Sequence, residues 1–181
     1  MYPSNDKGAY FCLVESRNLR VALMFGGNVG DTVTRFREAA TRINESIGKI
    51  LRYSSIYTSE PWGNANQPPF LNQAVIVETI LTPQAVLAQI TEIENALGRQ
   101  RIAVNGPREI DIDILLIENG EINLQHLVIP HPRMHLRNFN LVPLNEIAPL
   151  WRHPVLNKTV QELMAVCVDS LYVEKTALSW Q

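Results

Sequence analysis

The chain has 181 residues, of which 46% are hydrophobic and 19% charged, with a formal net charge of −2. That length can bury one sizeable core, so a single domain over residues 20–181 is expected. The near-neutral balance excludes a global attraction to nucleic acid or anionic membrane, so any polyanion site has to be local.

Cys12 and Cys167 form no CxxC pair and are expected as reduced thiols of a cytoplasmic protein. No apolar run approaches the roughly 20 residues of a membrane span. MYPSNDKGAYFCLVESRNL lacks the apolar core of a signal peptide, and residues 1–19 are expected to be an extension.

In chain order, VALMFGG (21–27) predicts a buried strand ending in a glycine turn. DTVTRFREAATRINESIG predicts an amphipathic helix, with Val33, Phe36, Ala40, Ile43 and Ile47 at steps of three and four. Asp31 or Thr32 can cap its start, and Gly48 can take the left-handed position after it. KILRYSSIYTS predicts a second strand and LNQAVIVET a third, separated by the loop EPWGNANQPPF. TPQAVLAQITEIENALG predicts a second helix, with Thr82 as cap, Pro83 at the first position and Gly98 closing it.

After the polar loop GRQRIAVNGPRE, IDIDILLI predicts the fourth strand, and Asn119-Gly120 the centre of a hairpin turn. Thr159 and Glu162 predict a capping box opening a helix through Val160, Leu163, Met164 and Cys167. The order is that of an α+β, ferredoxin-like split βαβ core: an antiparallel sheet with helices packed on a face, plus an added hairpin and C-terminal helices.

The fourth strand carries the chemistry. Ile110, Ile112, Ile114 and Leu116 alternate with Asp111, Asp113, Leu115 and Ile117, so both carboxylates share one face, roughly 7 Å apart along the strand. Two such charges need compensation, which magnesium and phosphate oxygens can supply; a solvent-facing strand edge is the bland alternative. Arg99, Arg101 and Arg108 precede the pair and Arg133 and Arg137 follow it, which favours a polyphosphate site.

GGNVGD matches neither a P-loop nor a dinucleotide fingerprint and is expected as a tight turn allowing close approach to the backbone. His131 and His135 have an H-x₃-H spacing, but Pro132 lies between them and no cysteine is near, so a phosphate contact suits His131 and surface exposure His135. Phe70 and Asn72 share a strand face, a ring and an amide fit for a flat heterocycle.

GGNVGD, SSIYTSEPWG, PFLNQAV, LGRQR, GPREIDIDILLI and IPHPRMHLRNFNLVPLNEIAP, in that order, resemble the 6-hydroxymethyl-7,8-dihydropterin pyrophosphokinases of folate biosynthesis. The resemblance runs from about Val21 to the final helix and implies a ferredoxin-like fold and transfer of the β,γ-pyrophosphate of ATP to the pterin's hydroxymethyl group, with AMP released. It implies two magnesium ions on Asp111 and Asp113, Asn72 on the pterin edge, Phe70 and Phe139 sandwiching the ring, and backbone near Ser59 and Gly63 completing the pocket. It also implies ATP contacts from Thr91, Glu94, Arg99, Arg101, Arg108, Ile114, His131 and Arg137, with Arg99 and Arg108 joining the aspartates in catalysis. Small-molecule substrates, no nucleic acid or membrane partner, and a monomer are the implied setting.

Two positions depart from the pattern: Asn105 stands where some members carry tryptophan, and Trp62 where some carry a smaller residue. The expected mechanism is in-line attack of the pterin hydroxyl on the β-phosphorus, with Asp113 as proton acceptor and the 98–109 loop closing over the phosphates. A two-metal nucleotidyltransferase would use the same aspartates but release pyrophosphate. An RNA-binding domain shares the strand order but needs an RNP-like aromatic run that the chain lacks.

Overall fold

The computed structural model describes residues 18–63, 66–98 and 106–180. Along the chain run β1 (Leu19–Gly27), α1 (Thr32–Ser46), β2 (Lys49–Tyr53), β3 (Tyr57–Ser59), β4 (Phe70–Thr79), α2 (Pro83–Ala96) and β5 (Asp111–Ile117). Then come β6 (Ile122–Leu124), β7 (Leu127–Ile129), α3 (Asn138–Ile147), β8 (Arg152–His153), β9 (Lys158–Thr159), α4 (Val160–Ala165) and β10 (Val173–Lys175).

The main sheet has the order β10, β3, β4, β1, β5, with β2 also on β4, and every pairing is antiparallel. This is the expected ferredoxin-like α+β arrangement, with its first strand starting at Leu19, two residues before the apolar run.

The helices cover both faces of the sheet, where the sequence pattern had suggested a face. α1 and α2 close one face over Leu23, Phe25, Phe36, Ile43, Val75, Ile90 and Ile112. α3 and α4 close part of the other over Ala22, Met24, Ala74, Ile76, Leu115 and Leu116.

The cross-strand rows on that second face grade from core to cleft. Ile76, Ala22 and Leu116 form one row, then Ala74, Met24 and Asp113, then Asn72, Gly26 and Asp111. Residues directly opposite across antiparallel strands share a face, so the sheet brings Asn72 and the two aspartates to the same side. The first row is packed beneath the C-terminal helices; the last opens into a cleft.

Several local readings need correction. KILRYSSIYTS is broken into β2 and β3, because Ser54 takes over local bonding: its Oγ accepts Ala74 N–H at 2.9 Å and its carbonyl accepts Gln73 Nε2 at 2.8 Å. Strict alternation in β5 ends in a bulge. Leu116 pairs with Ala22 and Ile114 with Leu23, which leaves Leu115 without a partner and turns Leu116 to the aspartate face. The turn after β5 is centred on Glu118-Asn119, with Asn119 at φ 58° and Gly120 N–H bonded to Ile117 O at 3.1 Å. The added hairpin is therefore β6–β7, one step further on.

Gly48 is not the left-handed residue expected; its missing side chain makes room for β4, since a Cβ there would lie 2.2 Å from Glu78 O. Gly98 does close α2 with φ 87°.

The caps fall as expected. Asp31 Oδ1 accepts Thr34 N–H at 3.1 Å, Thr82 Oγ1 accepts Ala85 N–H at 3.3 Å, and Thr159 with Glu162 completes a capping box. α4 stops at Ala165, short of Cys167, which is a free thiol; Cys12 lies outside the described residues. Among the described residues no helix is long and apolar enough to cross a membrane.

Candidate active site

The cleft at the open end of the second face encloses about 540 Å³ including its mouth. The sheet contributes Met24, Gly26, Asn72, Asp111 and Asp113 to its lining; one wall, Ser59, Glu60, Trp62, Gln67 and Phe70, comes from β3, the start of β4 and the segment between them, and another, Arg108, Arg137 and Phe139, from the segment before β5 and the start of α3. Gly26 leaves the space between Asn72 and Asp111 clear: a Cβ there would stand 3.8 Å from Asn72 Oδ1, inside the cleft.

Burial and the neighbouring Asp111 carboxylate push Asp113 up to about 6, against the opposing pull of Arg108 and Arg137. Arg108 already compensates the partner, with Nη2 2.9 Å from Asp111 Oδ2. On the α2 side Glu94 is buried, and its Oε1 accepts Ile112 N–H at 2.7 Å, which pins the strand between its two aspartates. Thr91, one turn earlier, bonds Leu87 O and faces a groove between α2 and the β6–β7 hairpin. Ile114 packs in the helix-side core and lines neither the cleft nor this groove.

Asn72 is buried and donates from Nδ2 to Ser59 Oγ at 2.8 Å, which fixes the orientation of its amide. Both aromatic rings carry a guanidinium. Arg108 lies over Phe70 at 5.2 Å, and Arg137 lies over Phe139 at 5.4 Å and over Trp62 at 4.3 Å. Arg133 adds a second cation 5.8 Å from the Trp62 ring. Gly63, beside Trp62, has φ 90°, open to glycine at no steric cost.

His131 is held by its own N–H on Leu115 O at 2.8 Å, and its Nδ1 accepts Arg133 N–H at 3.2 Å. Burial and the charges of Arg137 and Arg133 push it down to about 4. His135, expected at the surface, is half-buried and packs edge-on against His153 at 5.8 Å. No group of three or more His, Cys, Asp or Glu gathers as a metal cage among the described residues. Arg99 and Arg101 lie outside the described residues.

Three features of the site were missed in the sequence. Asn28 clamps two loops at once: its N–H donates to Arg108 O and its Oδ1 accepts Arg108 N–H, both at 2.9 Å, while its Nδ2 donates to Pro68 O at 3.0 Å. GGNVGD was expected to admit another loop, and Gly27 does, since a Cβ there would meet Glu109 O at 2.6 Å; the asparagine beside it carried no separate signal. Glu146 of α3 accepts from Ser55 N–H, Ser55 Oγ and Tyr57 O–H at 2.8, 2.9 and 3.0 Å, tying α3 to β3. Glu60 and Gln67 line the cleft from the loop EPWGNANQPPF, whose composition and length indicated a loop with a role but not these two residues.

Comparison with known proteins decides the family. The model of the 7,8-dihydro-6-hydroxymethylpterin-pyrophosphokinase family matches residues 22–149, most of the chain. The chain belongs to this pyrophosphokinase family.

It is 39% identical over 142 residues to a 2-amino-4-hydroxy-6-hydroxymethyldihydropteridine pyrophosphokinase of Aquifex aeolicus, covering 78% of the chain and 88% of that protein. The Bacillus subtilis protein of the same name is 41% identical over 126 residues, covering 69% and 75%. Against the HPPK-DHPS structure of Plasmodium falciparum the TM-score is 0.68 at 20% identity, covering 83% of the chain and 42% of that longer one; this likeness concerns the fold. Every residue that lines the cleft falls within the span matched to the pyrophosphokinase family, whereas α4 and β10 fall beyond it.

Proposed function

We propose that the chain transfers the β,γ-pyrophosphate of ATP to 6-hydroxymethyl-7,8-dihydropterin, giving (7,8-dihydropterin-6-yl)methyl diphosphate and AMP, a step of folate biosynthesis. The relatives' names support the activity. The observation that carries the reading for this chain is a single cleft that joins a ring slot to an acidic pair. Asn72, Phe70 and Phe139 line the same cavity as Asp111, Asp113 and Arg108.

The donor set suits magnesium. Two carboxylates with no third protein ligand among the described residues fit an ion that takes its remaining ligands from phosphate and water, and not a caged zinc. Asp111 and Asp113 would hold two such ions, which when bound supply charge neutralisation and polarisation of the phosphoryl oxygens.

The chain's own groups do the rest. Asn72 holds the ring edge with an amide already oriented by Ser59, and Phe70 and Phe139 hold its faces. Arg108 and Arg137, which lie over those rings, turn to the triphosphate when the ring enters, and Arg99 and Arg101 are assigned to the same phosphates. Asp113 accepts the proton of the attacking hydroxyl. The groove of Leu87, Thr91, Leu124 and Leu127 takes the adenine, and His131, kept neutral, meets a phosphate as a hydrogen-bond donor.

The test is product analysis with ATP and magnesium, with and without 6-hydroxymethyl-7,8-dihydropterin. AMP that forms only with the pterin, and no free pyrophosphate, is expected. Release of pyrophosphate would instead mean nucleotidyl transfer and would overturn the reading.

A further inference from the structure

The start of α3 lacks a cap of its own. Arg137 occupies the N-cap position and offers no side-chain hydrogen bond, so the first N–H groups of the helix need an acceptor from elsewhere. Asp169, thirty-one residues on, supplies it. Its Oδ2 accepts Asn138 N–H at 2.8 Å and its carbonyl accepts Asn138 Nδ2 at 2.6 Å, while its Oδ1 accepts Leu171 N–H at 3.1 Å. A carboxylate at a helix N-terminus is favoured by the helix dipole as well as by the bond. The residues on either side of Asn138 are Arg137 and Phe139, which form one wall of the cleft.

From Asp169 the chain runs on to β3 and the residue after it. Tyr172 N–H donates to Glu60 Oε2 at 3.0 Å, its carbonyl accepts Glu60 N–H at 3.2 Å, and β10 pairs with β3 so that Val173 stands opposite Ser59. Ser59 is the residue that orients Asn72. Beyond β10 the segment is latched. Thr176 N–H and Oγ1 both bond Ile56 O at 2.9 Å, and Trp180 donates from Nε1 to Gln73 Oε1 at 2.9 Å with its ring edge-on to Tyr53 at 5.1 Å.

We infer that residues 169–180 act as a bracket joining the two walls of the ring slot, with Asp169 as a positioning residue for Phe139 and Arg137. The inference rests on the reading of the cleft as the pterin pocket. It deepens that reading, because the segment lies beyond the span that matches the family and touches no reacting group itself. The bracket sets the width and orientation of the slot from outside it, so its loss should weaken binding of the flat ring more than binding of the nucleotide.

The experiment measures binding of 6-hydroxymethylpterin by its own fluorescence, with magnesium and α,β-methylene-ATP present, and binding of the nucleotide alone by calorimetry. Asp169→Ala should weaken pterin binding about tenfold, the scale of a lost charge-assisted bond, and nucleotide binding less than about threefold. Asp169→Asn keeps an acceptor and should recover part of the loss. Trp180→Phe keeps the ring but not the N–H, and should move pterin affinity the same way by a smaller factor.

Unchanged pterin affinity in Asp169→Ala, or equal loss of both ligands, overturns the bracket. Asn72→Ala separates this from the pocket assignment. If Asn72→Ala keeps its pterin affinity the pocket reading fails; if it loses it while Asp169→Ala does not, the bracket alone fails.

Discussion

Arg108 joins the acidic pair to an aromatic ring through two contacts of one guanidinium: a 2.9 Å bond to Asp111 and a 5.2 Å stack over the Phe70 ring. It neutralises one aspartate and covers one face of the ring. Replacing it with methionine keeps the stem and removes both roles. In Arg108→Met, Asp111 and Asp113 face each other with less compensation, which should cost roughly 1–2 kcal/mol, about 2–8 °C in Tm. Added magnesium should narrow the gap to the parent, and thermal melts with and without the ion check it. A Tm deficit indifferent to magnesium would count against the acidic pair as the ion's site.

Asp113 gives a pH signature with a definite sign. Its folded carboxyl titrates near 6, above the 3.8 of an ordinary aspartate. Between those values the native chain holds a proton that the unfolded chain has released, so this residue's contribution to stability rises as pH falls and is complete below about 3.8. Above about 6 the full penalty of a buried, crowded carboxylate is present. Asp113→Asn removes it. The variant should melt higher than the parent at pH 8, with the difference vanishing towards pH 4, while turnover is lost throughout. A difference in Tm that stays flat with pH would show that Asp113 titrates normally.

Gly26→Ala tests the cleft without disturbing the fold. The added methyl meets only Asn72 Oδ1, at 3.8 Å, which is ordinary contact. It stands in the row between Asn72 and Asp111, where a substrate bridging the two must pass. Tm should stay within about 2 °C, since no packed atom is displaced, while pterin affinity should fall by tenfold or more. Calorimetry and a melt on the same sample decide it. Gly27→Ala is the contrast. Its methyl would collide with Glu109 O at 2.6 Å, so stability should fall with it.

These expectations trace what was legible in the sequence. The alternation in IDIDILLI put both aspartates on one face, and the spacing of Phe70 and Asn72 did the same, because a strand's period of two is enforced by its geometry. That Asn72 and Asp111 meet across Gly26 of β1 follows from the register of the two pairings, which the order of elements does not contain. The bulge at Leu115 was not legible, since a run of Ile and Leu suits either face equally. The break at Ser54 was hidden because β-branched and aromatic residues flank it, and the side-chain bond that makes it is visible only with β4 in place. The contacts of Asn28, Glu146 and Asp169 join residues far apart in sequence, and no local pattern encodes such pairings.

His131 illustrates how a neighbour sets a residue's charge. Burial opposes protonation most, and the charges of Arg137 and Arg133 add to it, so the imidazole stays neutral until about pH 4. A folded value depressed below the usual 6.5 means that the unfolded chain takes up the proton first. His131 therefore contributes stability above about 6.5 that is lost as pH falls towards 4. Nuclear magnetic resonance of the ring should show no titration between pH 5 and 8. Arg133 is exposed and stacks only loosely on Trp62, at 5.8 Å, so it can be exchanged with little structural cost. In Arg133→Asp one repelling charge becomes an attracting one. The His131 midpoint should then climb back towards the ordinary range, and the positive charge of its protonated form should tighten nucleotide binding at pH 6 relative to pH 8. If the midpoint stays near 4 in that variant, the charge of Arg133 does not act on the ring, and burial with Arg137 governs it.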